Sequence, residues 1–168
     1  MKISILLPYK ENFSPLYPGA VSLFVKDTAN LSKYKKNIIV YGNTNFKKIF
    51  PIKYYNISLS SFKFQSKSKQ YVNKFIKIEN NSPSDLIEIH NRPNYLSDIV
   101  NSLGKKNFVL YFHNDPLTMT GSKSINERKF LLKNCYKIIF NSNWSKKRFL
   151  EGMHDKFVNS EKLLVVFQ

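Results

Sequence analysis

Residues 85–116, DLIEIHNRPNYLSDIVNSLGKKNFVLYFHNDP, contain a complete strand–helix–strand unit followed by a polar loop. DLIEIH and NFVLYFH are apolar runs with the length of a buried strand. PNYLSDIVNSLG is a predicted helix, with Pro93 at its first position and Gly104 just beyond its end, where each residue type is favoured. Because two strands joined through a helix usually pair in parallel, this stretch predicts an α/β domain.

The same alternation continues on both sides of this unit. Predicted strands are KISILLPY, NIIVYGN, YYNISL, KIIFN and EKLLVVF, and predicted helices are AVSLFVKDTANLSKY, KSKQYVNKFIKIENN, SINERKFLLKNCY and WSKKRFLEG. The region from Asn45 to Ser66 has no clear period outside YYNISL. Short strands between helices are typical of a Rossmann-like three-layer sandwich with a mostly parallel sheet, and we predict this α/β fold class.

Local signals predict several helix ends and faces. Ser124 and Glu127 have the spacing of a capping box, and Ser142 or Asn143 is the predicted cap of the last helix. The single cysteine, Cys135, falls in the predicted helix SINERKFLLKNCY, and we interpret it as a buried structural thiol. The first helix is predicted to bury Val21, Phe24, Val25, Thr28 and Leu31.

Length and composition indicate one domain with an unusual charge. The 168 residues are 42% hydrophobic and carry 27 basic against 11 acidic residues, a net charge of +16. Nearly all the basic residues are lysines, and the arginines are Arg92, Arg128 and Arg148. Such a surface attracts an anionic membrane or nucleic acid, but the lysine and asparagine bias of AT-rich coding produces the same charge.

Two classes of protein are disfavoured. No apolar run approaches the roughly 20 residues that span a bilayer, and the apolar start lacks a signal-like cleavage region, so we expect a cytoplasmic protein. The aromatic residues mostly fall at core positions, as Phe108, Tyr111 and Phe140 do. This placement disfavours stacking on nucleic-acid bases.

Polar residues follow five of the predicted strands at the point where each strand ends. The exits are PYKEN, YGNTN, HNRPN, HNDP and NSNW, and the pair His-Asn occurs at two of them, beginning at His90 and His113. In open parallel sheets the loops at the carboxyl ends of the strands converge on the ligand. We therefore predict a ligand-binding rim, with ordinary polar turns as the alternative.

Common cofactor, metal and hydrolase motifs are absent from the sequence. The loop SPLYPGA places Gly19 before a helix N-terminus, where a phosphate is favoured, but it matches neither GxGxxG nor GxxxxGK[ST]. The three histidines lack metal-ligand spacing, and there is no GxSxG elbow. We predict no metal and no cofactor.

The order of these segments resembles a known family. A strand at the start, then PGAVSLFVKDTANL, DLIEIHNRPNYL, NFVLYFHNDP and YKIIFNSNWSKKRFLEG, is similar to the N-terminal half of family 4 glycosyltransferases with the GT-B fold. The likeness covers nearly the whole chain except the region from Asn45 to Asn81. Such enzymes transfer a sugar from a nucleotide-diphosphate sugar to a saccharide or glycolipid acceptor, retaining anomeric configuration without an essential metal. Many build envelope polysaccharide such as lipopolysaccharide.

The resemblance implies roles for particular residues. Gly19 and Ala20 are expected near the donor diphosphate, and His113 is expected to face the transferred sugar as the catalytic candidate. The candidates for the acceptor side or its support are Asn91, Arg92, Asn114, Asp115 and Arg128.

The chain ends at VVFQ, where the family continues into a C-terminal domain that binds the nucleotide sugar. We therefore expect residues 1–168 to be a single N-terminal domain, as a fragment, a split-gene product or a relic, and to be inactive alone. Two alternatives stay open. One is a non-catalytic carbohydrate- or partner-binding domain, and the less favoured one is a nucleic-acid-binding protein.

Some assignments depend on position alone. His90 suits a structural role as well as a functional one, Glu88 lies on the same face of its strand, and His154 is predicted to lie on the surface. Peripheral attachment to an anionic membrane surface is expected through the basic segments Lys67 to Lys77 and Lys146, Lys147 and Arg148.

Overall fold

A parallel β-sheet forms the centre of the computed structural model, which describes residues 1–59, 65–104, 106–154, 157 and 160–167. Its strands are β1 (Ile3–Leu6), β2 (Ile38–Gly42), β3 (Tyr54–Asn56), β4 (Leu86–His90), β5 (Asn107–Phe112), β6 (Cys135–Phe140) and β7 (Leu163–Val165). They lie in the spatial order β3-β2-β1-β4-β5-β6-β7, and every neighbouring pair is parallel.

Helices connect most of these strands. Those in the described part of the chain are α1 (Ala20–Leu31), α2 (Lys67–Asn81), α3 (Tyr95–Leu103), α4 (Ile125–Asn134) and α5 (Asn143–Leu150). Short 3₁₀ helices at Lys35–Asn37 and Pro116–Thr118 precede β2 and follow β5. The predicted Rossmann-like α/β fold class is confirmed.

The two faces of the sheet are covered unequally. On one face α1 packs through Val21, Val25 and Ala29, together with Phe13 and Phe50 from loops. On the other face α2, α3, α4 and α5 share a larger core. This division follows from right-handed crossovers. Helix α1 leads from β1 toward the β3 edge of the sheet, whereas α2 to α5 lead toward the β7 edge, so α1 lies on the opposite face.

Strand β1 occupies the position from which the sheet grows in both directions. All four of its residues are buried, and Ile5 lies between Val40 of β2 and Glu88 of β4. The chain builds outward from β1 to β3 on one side and from β4 to β7 on the other. The loops after β1 and β4 therefore diverge and leave a crevice between them.

Two predicted helix starts are confirmed in detail. The Ser124 hydroxyl accepts a hydrogen bond from Glu127 N at 3.2 Å, and the Glu127 carboxylate accepts one from Ser124 N at 2.8 Å. The backbone N–H of Ser124 thereby lowers the pKa of the Glu127 carboxyl. Of the two possible caps for α5, Ser142 is the residue used, since its hydroxyl accepts from Ser145 N at 3.1 Å.

Two predicted helix boundaries are wrong. Helix α3 begins at Tyr95 rather than at Pro93, because Tyr95 N donates to the carbonyl of Arg92 and residues 92–94 form a turn ahead of the helix. Cys135 is the first residue of β6, since α4 passes directly into that strand without a loop. The thiol is nevertheless buried as predicted, and this burial raises its pKa to about 12.

The buried face predicted for α1 includes two residues, Thr28 and Leu31, that are exposed. Leu31 is 88% exposed, and the exposed Thr28 donates its hydroxyl to the carbonyl of Phe24 at 2.9 Å, so neither residue belongs to the core. The predicted strand YYNISL is reduced to β3, and EKLLVVF is reduced to β7. Residues 60–64, which belong to the region without a clear period, lie outside the described residues.

Gly121 generates a stability prediction, because its φ is +94° and a Cβ there would lie 2.5 Å from Asn94 N. Gly152 is the matched control, since its φ of +73° carries similar strain but a Cβ would meet only Ile125 Cδ1 at 3.5 Å. We expect Gly152→Ala to cost about 1–2 kcal/mol through left-handed backbone strain. Gly121→Ala is expected to cost about 1–3 kcal/mol more, because backbone must move to relieve the clash.

Urea unfolding of both variants and of the wild type measures this difference. Equal losses of unfolding free energy in the two variants would contradict the close approach of Gly121 to the loop after β4.

Candidate functional site

The loops that follow β1 and β4 border a cavity at the carboxyl edge of the sheet. Its volume is about 330 Å³, and it lies at the point where the strand order reverses, the usual ligand position in open α/β sheets. The cavity is lined from the β1 and α1 side by Pro8, Glu11, Ala20 and Val21, and from the other side by Asn91, Arg92, His113 and Asn114. We call it the switch-point cavity.

Most residues predicted as a site meet at this cavity. Ala20, Asn91, Arg92, His113 and Asn114 line it together, although they come from three separate segments of the chain. Their convergence follows from parallel pairing, which brings the carboxyl ends of β1, β4 and β5 to the same edge.

Asn91 holds the loop after β4 in place. Its φ of +55° is a left-handed conformation that asparagine tolerates better than most residues. Asn91 N donates to the carbonyl of Tyr111 at 2.7 Å, and Asn91 Oδ1 accepts from His113 N at 3.2 Å. Arg92 Nη1 donates to the carbonyl of Asn91 at 2.8 Å. One asparagine therefore connects the two His-Asn loops.

His90 and His113 are joined by a direct hydrogen bond. Nδ1 of His90 lies 3.0 Å from Nε2 of His113. The His90 ring stacks on Tyr111 with centroids 4.4 Å apart, and Phe24 of α1 meets His113 edge-on at 5.1 Å. His90 is only 1% exposed, whereas His113 lines the cavity. The buried histidine therefore supports the one that faces the cavity.

Glu88 completes a chain of three side chains. Its Oε2 lies 3.6 Å from His90 Nε2, which is within ion-pair reach but too long for a hydrogen bond, and the buried Nε2 has no other partner among the described residues. Burial raises the pKa of the adjacent Tyr111 hydroxyl, and the Glu88 charge raises it further. The carboxylate of Glu88 thus lies on the Nε2 side of His90, and His113 lies on its Nδ1 side.

The bond between the rings links the tautomers of the two histidines when both rings are neutral. With the proton of His90 on Nε2, its Nδ1 is an acceptor, so Nε2 of His113 must be the donor in the bond between the rings. With the proton of His90 on Nδ1, the roles are reversed.

The first turn of α1 already holds a carboxylate. Glu11 Oε1 accepts from Ser22 N at 3.0 Å, where the positive end of the helix dipole favours an anion. A Cβ on Gly19 would lie 1.9 Å from the same oxygen, so Glu11 in this position requires glycine there. A phosphate approaching Gly19 and Ala20 would compete with Glu11 for the helix N-terminus.

Two of the predicted acceptor residues brace the site from outside the cavity. Arg128 is 3% exposed, and its Nη1 donates to the carbonyls of Phe149 at 2.6 Å and Glu151 at 2.8 Å. Asp115 caps the short helix after β5 and pairs with Arg148, whose Nη2 lies 3.1 Å from Asp115 Oδ2. Hydrogen bonding to Asp115 raises the pKa of Arg148.

Sequence reasoning missed two contributors, Glu11 and Phe24. The signal for Glu11 was weak, because an acid eight residues before a glycine has no motif. Phe24 was predicted to face the core, and it is partly buried against the core on the α1 side, but its contact with the histidine pair was not predicted. His154 is exposed, as predicted.

The described residues contain neither a metal-binding cluster nor a membrane-spanning helix. No group of three His, Cys, Asp or Glu side chains is arranged to hold a metal ion. None of the described helices combines the length and the apolar character needed to cross a membrane.

No protein-family model matches the sequence, and no curated protein matches it. Solved structures do match. HepE (Alr3699) from Anabaena, in complex with UDP and glucose, aligns with 100% of this chain at a TM-score of 0.66 and 18% identity. The same protein in complex with UDP aligns at 0.60 and 17%, and a glycosyltransferase from Rickettsia africae aligns at 0.58 and 18%, each over 99% of this chain.

The chain spans less than half the length of these neighbours, at 44%, 44% and 43% of theirs. At such low identity the likeness concerns the fold. The domain described here therefore has the Rossmann-like fold of one domain of a GT-B glycosyltransferase.

Proposed function

We propose that this chain is the N-terminal, acceptor-side domain of a retaining family 4 glycosyltransferase. The complete enzyme transfers a sugar from a nucleotide-diphosphate sugar to a saccharide or glycolipid acceptor in the synthesis of envelope polysaccharide. The observation that carries the proposal is the switch-point cavity, where His113 and Asn91 meet the N-terminus of α1. A neighbour with the same fold binds UDP and glucose, which supports a nucleotide sugar as the co-substrate.

His113 has the chemistry to orient a sugar. His113 lines the cavity, its ring is held by His90 and Phe24, and an imidazole can donate or accept hydrogen bonds with sugar hydroxyls. A side chain held in one rotamer loses little entropy when it binds. We assign His113 the role of holding the sugar at the cavity.

The charges that line the cavity are too few for catalysis. A departing nucleoside diphosphate needs its developing negative charge stabilised by cations or hydrogen-bond donors. Among the residues that line the switch-point cavity, Arg92 is the cation and Glu11 is an opposing carboxylate. The remaining stabilisation must come from a second domain, so we propose that residues 1–168 alone do not turn over.

A non-catalytic carbohydrate- or partner-binding domain is the second candidate. The carboxylate of Glu11 at the first turn of α1 favours it, because an acid in that position opposes a phosphate. The two candidates differ in whether a sugar nucleotide reaches the cavity.

Titration of the ¹⁵N-labelled chain with UDP-glucose and with UDP, followed by amide chemical shifts, separates these candidates. We expect weak, saturable shifts at Gly19, Ala20, Asn91 and His113, and no hydrolysis or transfer of the sugar. Glu11→Gln is expected to bind UDP more tightly, because a competing charge is removed from the helix N-terminus.

The matched control is Asp27→Asn, which removes an exposed acid that lies within α1 but away from the first turn that Glu11 contacts. Shifts confined to other parts of the chain would favour the non-catalytic alternative. Robust transfer without a partner would refute the two-domain proposal.

The histidine pair gives a second prediction. We expect the Glu88 charge to favour the proton of His90 on Nε2, so Glu88→Ala should shift the tautomer populations of both linked histidines. Long-range ¹H–¹⁵N NMR spectra report the protonation of each ring nitrogen at neutral pH. The exposed His154 is an internal control and should not change. Unaltered nitrogen shifts of His113 in the variant would show that Glu88 does not set its tautomer.

Peripheral attachment to an anionic membrane surface remains a proposal, and α2 is its better support. Lys69 pairs with Asp98 and Lys74 donates to the carbonyl of Ser58. The lysines of this helix, Lys67, Lys69, Lys74 and Lys77, are all exposed. Arg148 is engaged by Asp115 and Glu151, so the cluster on α5 is partly neutralised.

Co-sedimentation with vesicles tests this attachment. Binding to vesicles with anionic lipid, but not to neutral ones, is expected, and about 0.5 M salt should abolish it because screening is then short-ranged. Lys74→Gln with Lys77→Gln should weaken binding more than Lys35→Gln with Lys36→Gln, a pair of equal charge at the amino edge of the sheet. Salt-resistant binding, or equal binding to neutral vesicles, would contradict an electrostatic attachment.

A further inference from the structure

A second cavity lies at the same edge of the sheet, beside the switch-point cavity. Its volume is about 590 Å³, and it is formed by the loops after β1, β2 and β3 together with the start of α2. We call it the amide cavity, because asparagines dominate its wall. The residues used in the argument are Tyr9, Lys10, Asn12, Asn43, Asn56 and Lys67.

Thr44 orients two of the asparagines. Asn56 Oδ1 accepts from Thr44 N at 2.9 Å, and Asn12 Oδ1 accepts from Thr44 Oγ1 at 3.1 Å. Both amide oxygens are therefore occupied, so each side chain retains its NH₂ group as a donor. Thr44 itself is 6% exposed, which makes the arrangement part of the fold rather than a surface contact.

Asn43 has the opposite orientation. Its Nδ2 donates to the carbonyl of Ile57 at 2.8 Å, which leaves Oδ1 as an acceptor. Fixed amide donors and acceptors on one wall match the hydroxyl groups of a saccharide, since each hydroxyl both donates and accepts. The volume is also within the range of small-ligand sites, about 300–1,000 Å³.

The charged residues that line this cavity are basic. Lys10 and Lys67 contribute to it, and no carboxylate is among those of its lining residues that the structure describes. Lys67 is the first residue of α2, so the positive end of a 15-residue helix adds to the local potential. Lys10 has a φ of +68°, an uncommon conformation for lysine of the kind that clusters at ligand sites.

The loop at residues 8–12 separates the two cavities and contributes side chains to both. Pro8 and Glu11 line the switch-point cavity, whereas Tyr9, Lys10 and Asn12 line the amide cavity. The acid of this loop is thereby directed to one cavity and its base to the other. A saccharide held in the amide cavity lies next to the position proposed for the transferred sugar.

We propose that the amide cavity binds a saccharide unit that carries a carboxylate or a phosphate, with Lys10 and Lys67 recognising the anion and the asparagines recognising the hydroxyls. This inference rests on the proposed glycosyltransferase function and names an acidic sugar as part of the acceptor.

Amide chemical-shift titration of the ¹⁵N-labelled chain tests this assignment with four probes. They are methyl glucuronide, glucose 1-phosphate, the neutral methyl glucoside and inorganic phosphate. We expect one or both anionic sugars to shift Lys10, Asn12, Asn43 and Asn56, and whichever binds more tightly identifies the anion. The neutral glucoside should bind about tenfold more weakly or worse, because a charge-assisted hydrogen bond is lost.

The double variant Lys10→Gln with Lys67→Gln should weaken binding of the anionic sugar by about tenfold or more. Lys35→Gln with Lys36→Gln removes the same charge at the opposite edge of the sheet and should leave the affinity unchanged. Retained affinity in the first variant, or an equal loss in both, overturns the assignment.

Three further outcomes would contradict the proposal in whole or in part. Equal binding of the neutral glucoside removes the anion from the proposal, and inorganic phosphate binding as tightly as glucose 1-phosphate removes the saccharide. Absence of saturation by either anionic sugar at about 50 mM overturns it, since such weak binding is not recognition. UDP-glucose reports separately through His113 and Asn91, so loss of the amide cavity and loss of the proposed transferase function are distinguishable.

Discussion

The position of β1 between β2 and β4 is the constraint on which the rest of this structure depends. Its four buried residues pair in parallel with β2 on one side and β4 on the other. From β2 the chain continues to β3 at one edge of the sheet, and from β4 it continues toward β7 at the other edge. The connections after β1 and β4 consequently cannot lie side by side, and the switch-point cavity is the gap between them.

The same topology explains why the sheet can hold the row of polar side chains formed by Glu88, His90 and His113. The register places Glu88 beside Ile5 and Val109 on the face that α1 covers, while four helices cover the other face. Under the thinner layer Glu88 remains 21% exposed and keeps contact with water, whereas His90, one step nearer the cavity, is buried against Tyr111. A carboxylate can therefore reach a buried imidazole without the full cost of burying its charge.

Much of the fold was predictable from the sequence, because apolar runs and capping residues act locally. Ser124 with Glu127 is an example in which both partners lie within one turn. The direct passage from α4 into β6 at Cys135 was not predictable, since it depends on how the helix packs on its own strand. In the site, the His-Asn exits predicted the location, but the bracing role of Arg128 depends on carbonyls more than 20 residues away.

The loop at residues 8–12 lies between two adjacent cavities and contributes side chains to both. Glu11 occupies a helix N-terminus at the switch-point cavity, and Lys10, its neighbour in sequence, faces the amide cavity. The two side chains share one short stretch of backbone, so a ligand that displaces Glu11 also acts on the loop that presents Lys10. The left-handed conformation of Lys10 gives that loop a strained residue through which the two cavities can influence each other. Under the proposed function, the backbone of residues 8–12 is therefore the connection through which binding at one cavity would affect binding at the other.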